Sequence, residues 1–275
     1  MDAILQGIVY FYDNKILNFN MKYLYILLLS LLFINCKNNT SNVEVKTLTA
    51  DEIVNKSIKV AGGDKFENSN AVFNFRNKEY FISRNNGNYH FERRFQDSLT
   101  AIHDILTNNG FERTREGVLK VRVADSMVSK YISSINSVQY FASLPYGLND
   151  KAVNKTLIGE EHIKENDYYK IQVTFDQEGG GEDFEDVFIY WINKATYKPD
   201  YLAYSYNEDD GKGMRFREAY NERYVKGLRF VDYNNYKSEA PDIKLQDLAK
   251  AFDNNQLKLL SKIVLENVEV DLIDL

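Results

Sequence analysis

A single cysteine, Cys36, stands in 275 residues, so the chain cannot close an internal disulfide and lacks the thiolate set of a structural zinc site. Its three histidines, His90, His103 and His162, lie far apart in strand-like contexts, and none has a partner at metal-ligand spacing. Basic residues are in deficit, with 34 Lys and Arg against 40 Asp and Glu. A nucleic-acid binder needs the opposite balance to neutralise phosphates, so that class is set aside. Neither a G-x-S-x-G nucleophile elbow nor a P-loop occurs. No apolar run reaches the roughly 20 residues of a membrane-spanning helix.

Aromatic residues are abundant by contrast, with 20 Tyr and 17 Phe beside one Trp. Such rings favour the half-buried, pleated surface of β-strands. With only three prolines to interrupt the chain and 44% hydrophobic residues, a sizeable β-rich core is expected. The net charge of −6 is that of an ordinary, mildly acidic protein.

The one extended apolar run, Tyr23 to Ile34, has the length of a signal-peptide h-region, and Met21-Lys22 supplies a short basic start. Residues 1–20 are read as sequence upstream of the true start, 21–35 as a signal peptide, and 36–48 as a polar tether. The segment Phe33-Ile34-Asn35-Cys36 resembles a bacterial lipobox, although Phe33 and Asn35 depart from the usual Leu and small residue. That resemblance implies that Cys36 becomes the acylated first residue and anchors the protein in a membrane. Lys37 follows instead of an inner-membrane retention aspartate or an acidic export run. By that analogy the protein is expected at the periplasmic face of the outer membrane, with a purely periplasmic or inner-membrane location as alternatives.

Beyond the tether, Thr49-Ala50-Asp51-Glu52 is a capping box, and Ile53, Val54, Ile58 and Ala61 continue it at helical spacing until Gly62-Gly63. From Asn70 the period becomes two. In "NYHFERRF", Tyr89, Phe91 and Phe95 share one face and His90, Glu92 and Arg94 the other. Turn signals at Asn85-Asn86-Gly87, Asn108-Asn109-Gly110, Glu116-Gly117, Glu165-Asn166-Asp167 and Asp209-Asp210-Gly211 predict an antiparallel meander. One long helix interrupts it, from a cap at Asp125 or Ser126 towards Pro145, and should lie across the sheet. "FEDVFIYWI" does not alternate and predicts a strand buried on both faces. The echoing segments from Gly213 and Gly227 read as hairpin neighbours, followed by a short helix near Ile243 to Phe252 and one last strand, "KIVLENVEV".

The loop "DQEGGGEDFED" is the most acidic feature, and Asp176, Glu178, Glu182 and Asp183 form a weak Ca²⁺ candidate without EF-hand spacing. A solvated hairpin loop is the plainer account. The adjacent acids Glu160-Glu161 and Glu182-Asp183 would point to opposite faces of a strand, against glycosidase chemistry. The chain is therefore read as non-enzymatic, without catalytic residue, metal or cofactor, an uncharacterised hydrolase being the lesser alternative. Tyr89, Phe91, Tyr190, Trp191, Tyr204, Tyr206 and Phe216 are the candidate lining of an apolar ligand pocket, or else simply core.

The order of capped helix, long antiparallel strands, mid-chain helix and further strands resembles the LolA/LolB-like half-barrels that carry lipoprotein acyl chains. The local match runs from "NKATYKP" at Asn193 through "YLAYSYN" to the Gly-x-x-Phe strands. More closely, "KVAGGDKFENS", "YFASLPYGLND", "QEGGGEDFEDVFIYWINK" and "GMRFREAYN" are similar to a family of Bacteroidota lipoproteins of unknown function, over Ala50 to Val268. These resemblances imply an α+β domain over residues 49–275, a curved antiparallel sheet of the half-barrel kind covered by a few helices. They also imply a cell-envelope lipoprotein that holds a lipid or other hydrophobic ligand. The alternative is a non-catalytic interaction or structural module of an envelope complex, expected to show an exposed apolar patch instead of a cavity.

Overall fold

Residues 47–181, 184–208 and 211–273 are described by the computed structural model of the chain. The apolar N-terminal segment, Met21, Cys36 and the tether up to residue 46 lie outside the described residues, as do Glu182, Asp183, Asp209 and Asp210. The first helix, α1 (Ala50–Ala61), grows from its capping box. Thr49 Oγ1 accepts from the Glu52 amide at 3.2 Å, and Glu52 Oε2 accepts from the Thr49 amide at 2.9 Å. Two otherwise unpaired helix donors are thereby satisfied. Gly62 ends the helix at φ 134°, where a Cβ would stand 2.9 Å from the Gly227 carbonyl oxygen. Only glycine fits so close a backbone approach.

Strands β1 (Asn68–Phe75), β2 (Lys78–Asn85), β3 (Asn88–Asp97), β4 (Thr100–Thr107), β5 (Gly110–Arg115) and β6 (Leu119–Lys120) run as a meander. The Asn86-Gly87 turn has positive φ at both residues, 48° and 80°, as a two-residue hairpin requires. A second meander comprises β7 (Val153–Ile163), β8 (Asn166–Phe175), β9 (Val187–Asn193), β10 (Pro199–Glu208), β11 (Gly211–Val225) and β12 (Leu228–Ser238). The β7–β8 turn falls at Lys164, φ 53°, and Glu165, with Ile163 opposite Asn166. It lies earlier than the Glu165-Asn166-Asp167 signal placed it, because a left-handed lysine does there what a glycine would.

The predicted last strand is two strands. β13 (Leu257–Ile263) pairs with β12, whereas β14 (Glu266–Leu272) pairs with β1, giving two antiparallel sheets of seven strands each. The break has a visible cause at Leu265, whose amide donates to Asp232 Oδ1 at 3.0 Å and whose carbonyl accepts from Arg223 Nη2 at 2.5 Å. Side chains take both backbone groups out of the ladder, and the chain steps from one sheet to the other. Asp232, 1% exposed, also accepts from Asn221 and Arg223.

The long helix is α2 (Asp125–Ala142), with Ala124 at its N-cap position and no side-chain cap, so neither Asp125 nor Ser126 serves there. A third helix, α3 (Leu248–Asp253), sends Leu248, Ala249 and Phe252 onto one face of the second sheet beside Trp191, Tyr201 and Phe216. The other face of that sheet meets α1 through Ile53 and Val54, with Tyr190, Ile192 and Leu202 beneath. Strand β9 is buried on both sides for this reason, as its unbroken apolar run predicted. Antiparallel sheets with helices laid on them make the domain α+β, and Leu48–Leu275 is one unit. No helix among the described residues is long and apolar enough to cross a membrane.

Candidate functional site

Helix α2 buries little of itself: of its 18 residues only Ile135 and Ala142 are fully covered. Ile132 and Val138 lean on the core of the first sheet, and Tyr140 and Phe141 on that of the second. Polar groups hold it in place. Arg93 Nη1 donates to Ser134 Oγ at 2.8 Å, Arg84 Nη2 donates to Gln139 Oε1 and to Ser143 Oγ just past the helix, and the Arg113 guanidinium lies 3.8 Å from the Tyr131 ring centre. The Tyr140 and Tyr190 hydroxyls meet at 2.7 Å. Burial pushes both phenols well above their ordinary range, so the pair is neutral.

A cavity lies on each flank of α2. The first, about 520 Å³, is lined by Val138 and Phe141 of the helix, Tyr204 and Tyr206 of β10, and Val231 and Tyr233 of β12. The second, about 480 Å³, is lined by Ile132, Tyr140, Phe141, Phe175, Phe188 and Tyr204. Both volumes fall in the range of small-molecule sites. Ser137, Phe141 and Tyr204 border both cavities, so the two adjoin along one edge of the helix.

The first cavity differs from the second in charge. Arg76 reaches it from the β1–β2 turn, Lys78 from the start of β2 and Arg215 and Arg217 from β11, and among the described residues its lining holds no carboxylate. Among the described residues none of these four cations forms an ion pair; Arg76 and Lys78 rest on the rings of Phe75 and Phe95. Burial, and then the charge of Arg93, lower the Lys78 pKa. Arg217 is the extreme case at 8% exposed. Its Nη2 donates to Tyr204 Oη at 2.8 Å, while Nε and Nη1 are buried with no partner. Phe141 covers the guanidinium at 3.8 Å and Tyr204 lies at 4.9 Å.

Such ring contacts contribute about 2 kcal/mol each when desolvated. Taking an ion out of water costs several kcal/mol, and each unpaired buried donor about 1–3 kcal/mol more. Among the described residues no anion pairs with this charge. Burial is also the main reason that the Arg217 pKa is lowered, with only tyrosine hydroxyls acting against it. Asn235, directly across from Arg217 on β12, has an unpaired Oδ1 as well.

The structure distributes the sequence-derived pocket residues over three cores. Tyr204 and Tyr206 line the first cavity. Tyr190 lies in the core on the same side of its sheet but is wholly buried. Trp191 and Phe216 belong to the opposite face, 5.6 Å apart edge to face under α3, and Trp191 Nε1 donates to Glu161. Tyr89 and Phe91 stack at 4.9 Å in the core of the first sheet and line neither cavity. Sequence reasoning followed the Met214 and Phe216 face of β11 and passed over Arg215 and Arg217 on the other. Period-two alternation separates two faces but does not say which of them looks into a cavity.

The histidines are not all apart. His90 and His103, on neighbouring strands, both bond Glu92, at 2.7 and 2.9 Å. Burial raises the Glu92 pKa, but the hydrogen bonds of the two histidines and the charge of Arg94 outweigh it and hold the carboxyl below its ordinary value. His162 stands alone with Asp167 at 2.9 Å. Among the described residues no group of three or more His, Cys, Asp or Glu could hold a metal ion. In the glycine loop, Asp176 Oδ1 accepts from Asn154 at 2.8 Å, Glu178 is exposed, and Gly180 and Gly181 border the second cavity. A Cβ at Gly180 would lie 2.2 Å from the Asp176 carbonyl oxygen, so the loop folds too tightly for a side chain there. Glu160 and Glu161 pair with Lys194 and Lys170, respectively.

The chain belongs to DUF6503, a family of unknown function whose model matches residues 22–267. No curated protein matches it. Among solved structures it is similar to a LolA superfamily protein from Nitrosomonas europaea, at 13% identity and a TM-score of 0.48, over 83% of this chain and 96% of that one. It is also similar to a DUF1329 family protein from Desulfovibrio piger, at 12% identity and a TM-score of 0.45, over 82% and 94% of the two chains.

Proposed function

We propose that this DUF6503 protein binds a lipid or other hydrophobic ligand beneath α2 and does no chemistry on it. The observation that carries the reading is a long helix held by polar anchors over two adjoining, aromatic-lined cavities. A helix that served stability alone would bury its apolar stripe; here Ile132, Val138, Tyr140 and Phe141 are only half-buried and border the cavities. That surface is what a ligand would cover, and releasing a few hydrogen bonds would open the helix. Native mass spectrometry of the gently purified chain should show adducts of lipid mass that organic extraction removes. A bare protein that takes up nothing from a mixed lipid extract refutes the proposal.

In the same reading Cys36 is acylated and tethers the domain in the cell envelope, at the periplasmic face of the outer membrane. Support comes from the lone cysteine directly after an apolar run of signal-peptide length. Metabolic labelling with a clickable fatty acid should mark the wild type and spare Cys36→Ala. Equal labelling of the two removes the anchor.

A further inference from the structure

We propose that the ligand is an amphiphile with an anionic head group, a carboxylate or phosphate, bound at Arg217 and Tyr204 in the first cavity with its tail in the second. The inference rests on the reading of these cavities as a lipid site and adds the chemistry of the head group. It starts from a contrast among buried arginines. Arg93 holds Asp104 and Arg229 holds Glu222, whereas Arg217, also buried, holds only a tyrosine hydroxyl. Two of its donors are left without a partner.

An oxyanion that accepts from Nε or from Nη1, which sit on different edges of the guanidinium, satisfies one unpaired donor and the charge together. Tyr204 adds a donor, because its oxygen accepts from Arg217 and its hydroxyl hydrogen is then free for the anion. Arg76, Lys78 and Arg215 surround the approach, and among the described residues no carboxylate in the lining opposes it. They would draw an anion towards the cavity. Phe141 covers the guanidinium and Phe188 faces the second cavity, so aromatic rings line the path leading away from Arg217, while Asp186 also borders that cavity. A head group held at Arg217 thus directs its chain past Phe141 and Tyr204, which with Ser137 border both cavities.

Isothermal titration of the full chain, stripped of bound lipid, with oleate, oleoyl lysophosphatidic acid, oleyl alcohol, acetate and inorganic phosphate tests this. Charge-assisted hydrogen bonds predict that the two anionic amphiphiles bind about tenfold or more tightly than the alcohol. Acetate and inorganic phosphate should bind far more weakly than oleate, having no tail to bury. Arg217→Gln should abolish the preference for acid over alcohol and leave alcohol binding in place, and Arg217→Lys should keep part of it. Equal binding of acid and alcohol by the wild type overturns the head-group proposal while leaving a lipid site standing, and needs no variant. Acetate or phosphate binding as tightly as oleate overturns it in favour of a site for free anions. A folded Arg217→Gln that keeps the acid preference overturns the assignment to Arg217. No binding of any amphiphile refutes the lipid site itself, and this inference with it.

Discussion

Asp104 on β4 stands directly between Arg93 on β3 and Arg113 on β5, each its cross-strand partner. Its side chain is 0% exposed and accepts from Arg93 Nε at 3.0 Å and Nη2 at 2.6 Å, and from Arg113 Nε at 2.6 Å and Nη2 at 2.9 Å. Asp104→Asn preserves the volume and removes the anion, so two guanidiniums, 5% and 12% exposed, face each other without a counter-charge. Removing one partner of a buried ion pair costs about 3–5 kcal/mol. In a domain of this size each kcal/mol lowers Tm by about 2–4 °C, so the variant should melt about 6–20 °C below wild type. Urea unfolding should show the same loss at an unchanged m-value. The double variant Asp104→Asn/Arg113→Gln should lose less than the sum of the single losses by at least about 1 kcal/mol, because removing one cation relieves the other. Arg93 also reaches Ser134, so faster hydrogen exchange along α2 should accompany Asp104→Asn. A loss below about 1 kcal/mol, with additive single variants, would refute the claim that Asp104 neutralises this cluster.

Tyr140→Phe leaves the Tyr190 hydroxyl buried and unpaired, at about 1–3 kcal/mol by urea titration, and Tyr140→Phe/Tyr190→Phe should recover most of that loss. A double variant as unstable as the single one contradicts the pairing. Gly62→Ala combines φ 134° with a clash against the Gly227 carbonyl, and should cost about 1–3 kcal/mol in chemical denaturation. A neutral result would show that the backbone approach is looser than described. Glu92 has a depressed folded pKa, so its stabilisation is complete above its unfolded value and is lost as pH falls through the lower folded one. The acid limb of stability below about pH 4.5 should therefore be steeper in wild type than in Glu92→Gln. Parallel limbs in stability measured against pH would remove Glu92 as a contributor.

Local signals carried much of the architecture. The Thr49 capping box, the Asn86-Gly87 turn and the non-alternating β9 each depend on residues within a few positions, and the structure has all three. The one-strand reading of "KIVLENVEV" failed because its break depends on Arg223 and Asp232, distant in sequence from the Leu265 that they hold. The histidine pair was missed for a similar reason. His90 and His103 meet only through the register of β3 with β4, which places His103 opposite Arg94, next to Glu92.

By itself the sequence determined an α+β chain of antiparallel hairpins with one long helix, because caps, turns and hydrophobic periodicity are short-range properties. Only the tertiary structure decided which strand faces look into the cavities. The alternation of β11 marks Met214 and Phe216 as one face and Arg215 and Arg217 as the other, with nothing local to rank them. Helix α3 covers the first and Phe141 of α2 overhangs the second. Those long-range contacts make Phe216 core and leave Arg217 a buried cation with no anion among the described residues.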